Sequence, residues 1–121
     1  MYVNEKYPDY KKFIDLDTGL GRIRGNKKLY KRMLGMFAAS DEFGKLEAAI
    51  AAGDTAAAGD VAHAIKGMAG NLSLDDIFHL SEVLMAKFRV GETDEAVINE
   101  YRESLKITLE IVEDVSATLE D

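Results

Sequence analysis

The chain has 121 residues, the length of one domain, which can bury a core without help from a metal or a disulfide. It holds no cysteine, which excludes thiolate catalysis, a cysteine zinc site and a disulfide scaffold. Its 15 Lys and Arg stand against 22 Asp and Glu, a net charge of −7 that argues against nucleic acid as the main partner, and no apolar run is long enough to span a membrane.

From Met1 to Lys12 the chain mixes charges and tyrosines without an apolar stretch. That does not read as a signal peptide, and the expected location is cytoplasmic. Pro8 suits the first turn of a short helix running to about Leu16. Asp17 to Gly25 contains three glycines and reads as a loop. Asn26 is placed to cap a helix from Lys27, with Leu29, Met33, Met36 and Phe37 on one face. Ser40-Asp41 breaks or kinks that pattern, which resumes through Phe43, Leu46 and Ile50. Gly53 is a suitable C′ residue and Asp54 a suitable N-cap for a helix reaching about Gly70. Asn71 to Ser73 reads as a tight turn. A further helix covers about Leu74 to Phe88 and ends near Gly91. Thr93 is the expected cap of the last one, with Ala96 or Val97, Tyr101, Leu105, Thr108 or Leu109, and Val112 on one stripe.

No strand-length run alternates. The expectation is an all-α domain over residues 1–121: an antiparallel up-down-up-down four-helix bundle, with a short N-terminal helix as a lid over one end. Charge is uneven along it. Arg22, Arg24, Lys27, Lys28, Lys31 and Arg32 carry no acid between them, while Glu92 to Asp121 holds ten acids and two bases. These are either solvated faces or a docking surface that steers a charged partner.

Two histidines, His63 and His79, are the best nucleophiles or bases that this composition offers. At about 100° per residue, Val61, Ile65, Met68 and Leu72 cluster within about 60° and define the expected buried face of the His63 helix. His63 falls roughly 190° from the centre of that stripe, so it should be exposed. Lys66 at i+3 and Gly67 at i+4 are its neighbours, and Gly59 and Gly70 line up on the same side. Interior glycines cost a helix about 1 kcal/mol each relative to alanine. Their expected benefit is access, because another surface can approach the imidazole where no side chains stand. Lys66 offers a flexible cation to anything attached to His63. His79 also points away from its stripe of Ile77, Leu80, Leu84 and Phe88. Its neighbours are Asp75 and Glu82, which would repel a phosphoryl group, and it reads as part of a solvated face.

The run His63-Ala-Ile-Lys66-Gly67-Met-Ala-Gly70-Asn71-Leu72 resembles the signature of histidine-containing phosphotransfer (HPt) domains. The Gly53-Asp54 helix start, the Ala62-His63 pair and the upstream Gly25-Asn26-Lys27-Lys28-Leu29-Tyr30 with Phe37 are similar to the family pattern, over roughly residues 10–115. Ser73 departs from it, standing where many members have glycine. The resemblance implies a four-helix bundle that works without ATP or a cofactor. It implies that His63 accepts a phosphoryl group on Nε2 from the phospho-aspartate of a response-regulator receiver domain and passes it to another receiver, in a pathway fed by a sensor or hybrid histidine kinase. Lys66 would stabilise the phosphoryl oxygens, and Gly59, Gly67 and Gly70 would form the docking face. Magnesium and the acceptor aspartate would belong to the partner, and a monomer suits a surface that must dock one.

Three rivals remain in view. A non-phosphorylated helical adaptor for receiver or kinase domains need not keep the His63-Lys66-Gly67 trio. An enzyme using His63 as general base lacks an orienting carboxylate beyond Asp60 and an enclosed pocket. A metal-storing bundle needs inward Glu-x-x-His pairs, whereas Asp60 and Asp76 stand at i−3 and both histidines face outward.

Overall fold

The computed structural model describes residues 2–119. All regular structure among them is helical: a 3-10 turn at Tyr10–Lys12, then α1 (Leu16–Gly21), α2 (Lys27–Ala38), α3 (Glu42–Ala51), α4 (Thr55–Leu72), α5 (Asp75–Arg89) and α6 (Glu95–Thr118). Side-chain caps start four of these helices. Asp15 accepts from the Thr18 amide, Asn26 from Leu29, Asp54 from Ala57 and Asp94 from Val97. Each satisfies an amide that has no partner within its helix. Asp94, not Thr93, caps the last helix. The same carboxylate lies 3.1 Å from Lys87 Nζ, which ties the end of α5 to the start of α6.

Helices α2 and α3 form one arm of the bundle, divided at residues 39–41. α4 packs against that arm on one side and α5 on the other, and α6 closes the ring against α5 and α2. Short connections make neighbouring arms antiparallel. This is the expected all-α bundle.

Two helix faces sit about one position from where the sequence pattern put them. On α2 the buried residues are Tyr30, Leu34 and Phe37, while Leu29 and Met36 are exposed. Tyr30 claims the core because its hydroxyl donates to the Leu72 carbonyl at 2.7 Å, inside the protein. On α4 the core face is Ala58, Ala62, Ile65, Ala69 and Leu72, with Val61 and Met68 half-buried at its edge. α4 is contacted by four other helices, and alanines let them approach closely. On α6 the buried set includes Ile98, Tyr101, Ser104, Thr108 and Ile111, with Leu105 and Val97 at the margin.

Near the N-terminus the short helix expected from Pro8 to Leu16 is reduced to the 3-10 turn at Tyr10–Lys12, and Asp17 to Gly25 is not all loop. Phe13 and Ile14 plug into the core, and the Asp15 amide donates to the Ser73 carbonyl at 2.9 Å. Asp15 then caps α1. Ahead of them the chain packs against the C-terminal half of α6. The Tyr2 hydroxyl donates to Asp114 at 2.6 Å, the Tyr7 hydroxyl to Glu110, and Lys6 Nζ lies 3.2 Å from Glu110.

Candidate functional site

α4 runs past Gly70 to Leu72, and Ser73 turns the chain in the left-handed region at φ 57°. Only Ser73 and Leu74 separate α4 from α5, so the two form a tight helical hairpin. Positions at nearly equal distance from that turn therefore face each other. Gly70 meets Phe78, and Lys66 meets Glu82.

His63 projects from the side of α4 away from its core face, about 140° from the centre of that face at 100° per residue. Its side chain is exposed. One turn further on, Gly67 is also exposed, and a Cβ added there would meet nothing within 4 Å. The surface beside the imidazole is bare backbone. Gly70 is half-covered by the Phe78 ring, 3.3 Å from where its Cβ would stand. Gly59 is not on this open face. It is buried between α4 and α5, where a Cβ would lie 3.5 Å from Phe88 Cβ and 3.6 Å from Arg89 Cγ. The shift of the α4 core face towards the alanines carries Gly59 to the helix–helix seam.

Lys66 leans from α4 onto α5. Its ammonium lies 3.1 Å from Glu82 Oε2 and 5.3 Å from the centre of the Phe78 ring. An open cleft of about 530 Å³ runs along this side of the hairpin, with His63, Lys66, Gly67, Gly70 and Asn71 on one wall. Phe78, His79 and Asp75 of α5 form the other wall, and Arg22 reaches in from the end of α1.

Five of these residues were not assigned to a site by sequence reasoning. His79 and Asp75 read as a solvated face, Asn71 as part of a tight turn, Arg22 only as part of a basic run, and Phe78 not at all. The hairpin register places the α5 residues. Arg22 is placed by a tertiary contact, its Nε donating to Ser73 Oγ at 3.3 Å, which no local pattern foretells. Burial, and the nearby Asp15 carboxylate, push the Asp75 carboxyl above its usual range, against the pull of His79 and Arg22.

The arrangement sets an exposed imidazole and a neighbouring ammonium along one open side of the α4–α5 hairpin. Among the described residues no three His, Asp or Glu side chains cluster as a metal site, and no helix is long and apolar enough to cross a membrane. Neither a curated protein nor a solved structure matches the chain at a significant level. The family model of the Hpt domain, in contrast, matches residues 32–120. It leaves the Gly25–Tyr30 segment outside and takes in α3 to α6 whole, together with most of α2. The match covers well over half of the chain and includes the His63 helix and the bundle around it, and the protein belongs to the Hpt domain family.

Proposed function

We propose that this Hpt domain is a histidine phosphocarrier, with His63 as the acceptor. The family implies a phosphotransfer role in phosphorelays. The observation that carries the assignment to His63 is its exposure beside the uncovered backbone of Gly67. The neutral imidazole attacks the phosphorus of a receiver's aspartyl phosphate through Nε2. The N–P bond forms as the P–O bond to the aspartate breaks, and the carboxylate leaves with the bonding pair. The second receiver's aspartate reverses the step. The imidazole keeps its Nδ1 proton throughout, so no external base is needed. Lys66 neutralises part of the charge on the phosphoryl oxygens, and Gly67, with Gly70 beside it, lets the receiver surface come down to the imidazole. Gly59 supports this face from beneath by close packing rather than by touching the receiver. The domain contributes no nucleotide site and no catalytic activity of its own. It works as a monomer in the cytoplasm, between a sensor or hybrid kinase and response regulators.

The test is incubation with a phosphorylated receiver domain, followed by intact mass and site mapping of an acid-labile, base-stable adduct. Wild type should gain one phosphoryl group on His63. His63→Gln should gain none while melting like wild type, because the side chain is exposed. A folded wild-type domain that stays unmodified with several cognate receivers would instead support an adaptor that binds receivers or kinases without carrying phosphate.

A further inference from the structure

The lysine beside the acceptor histidine is already engaged. Lys66 Nζ lies 3.1 Å from Glu82 Oε2, with the Lys66 side chain only 24% exposed and that of Glu82 52% exposed. The Phe78 ring flanks the ammonium from the same helix, one turn before Glu82. The cation is therefore drawn down onto α5. We propose that Glu82 is a positioning residue: it competes with the phosphoryl group on His63 for the Lys66 ammonium and so sets how tightly the domain holds its phosphate. This rests on the phosphocarrier reading above.

The geometry favours exchange over a fixed pair. His63 and Lys66 are three residues apart on α4, so the lysine stem reaches either partner by rotation about its own bonds, without backbone movement. An ammonium is a compact charge with three donors and no preferred plane. When His63 is phosphorylated, the Lys66 contact to Glu82 gives way to one with the phosphoryl oxygens. The carboxylate left behind loses its counter-charge. Both effects lower the domain's hold on phosphate, which suits a carrier that must release what it accepts. Asp75, His79 and Arg22 line the cleft beside His63, but Glu82 is the carboxylate in contact with Lys66.

The test is the equilibrium distribution of phosphate between the domain and a cognate receiver, measured for wild type, Glu82→Gln, Lys66→Met and the double variant. Gln keeps the shape and helix propensity of Glu, and unchanged circular dichroism and melting would establish an intact fold. Glu82→Gln should shift the distribution towards His63 by about twofold to fivefold, the range expected of a partly exposed ion pair, and high salt should shrink the shift. Lys66→Met should shift it towards the receiver. In the Lys66→Met background, Glu82→Gln should have less than half of its effect in wild type. An unchanged distribution for Glu82→Gln, with the His63 adduct forming normally, would overturn the inference and leave the carrier role standing. A shift towards the receiver would overturn it too, and would make Glu82 a support for Lys66. An equal shift in both backgrounds would show that Glu82 acts through its own charge and not through Lys66. Absence of any His63 adduct in wild type would bring down the carrier reading itself.

Discussion

At the scale of single residues, the site turns on a side chain that is missing. Gly67 lies mid-helix, where glycine is about 1 kcal/mol worse than alanine, and nothing in the fold needs it: its φ is ordinary and the space around it is open. The two other glycines of this helix have packing neighbours, Phe88 and Arg89 for Gly59 and Phe78 for Gly70. Gly67 has none, and under the proposed carrier role its cost is offset at the surface of a docked receiver. Gly67→Leu should therefore leave the melting temperature unchanged or raise it, by up to about 1 kcal/mol of stability. It should also slow phosphate transfer with a receiver at least tenfold, by standing in the approach to His63. Thermal melts and transfer rates on the same sample check both halves. Transfer at the wild-type rate would remove the argument from access.

At the scale of elements, α4 is held where α1 and α2 converge on its C-terminal end. A Cβ on Gly19 would lie 2.7 Å from the Tyr30 hydroxyl and 2.9 Å from the Leu72 carbonyl oxygen, the two ends of one buried hydrogen bond. One of these is main chain and cannot swing aside. Gly19→Ala should thus cost about 1–3 kcal/mol, read by chemical denaturation, although alanine is the better helix former. Loss of less than a few tenths would mean that α1 is not clamped there. Little of this junction could be read from sequence, because it joins residues far apart in the chain. The caps at Asn26 and Asp54, the α5 stripe and the outward turn of His63 were legible, since each depends on neighbours within a turn or two. The α2 and α4 faces were misjudged by about one position for a different reason. Periodicity weights large apolar side chains, whereas Ala58, Ala62 and Ala69 and the hydroxyl-anchored Tyr30 take the core here. α1 went unseen because its Asp15 cap precedes a glycine-rich stretch whose composition alone says loop. The placement of Lys66, Gly67 and Gly70 near His63 was legible from their spacing, but the contacts of Lys66 with Glu82 and of Gly70 with Phe78 needed the hairpin register.

At the scale of the whole molecule, two tyrosines tie distant parts of the chain together and a third is buried, and their ionisation should make the fold sensitive to alkali. Tyr30 joins α2 to the end of α4, Tyr101 is buried in α6, and Tyr2 fastens the N-terminal segment to Asp114. Burial raises all three phenols above the ordinary value near 10. For Tyr2, burial and then the hydrogen bond to the Asp114 carboxylate push it up to about 12. The unfolded chain releases these protons near pH 10 while the folded chain still holds them. Across that interval the unfolded state binds fewer protons, so stability falls as pH rises. The contribution is complete below pH 10 and for Tyr2 is lost as pH climbs through about 12. The melting temperature should therefore decline above pH 10. In Tyr2→Phe, which keeps the ring and removes the titrating group, the decline between pH 10 and 12 should be shallower by about one proton's worth of slope. At neutral pH the same variant should be less stable than wild type, having lost the bond to Asp114. Tyrosinate absorbance near 295 nm, followed alongside the melts, identifies the phenol responsible. An unchanged alkaline limb in Tyr2→Phe would mean that the N-terminal segment leaves α6 before its tyrosine ionises, and that this clasp contributes nothing to the fold above pH 10.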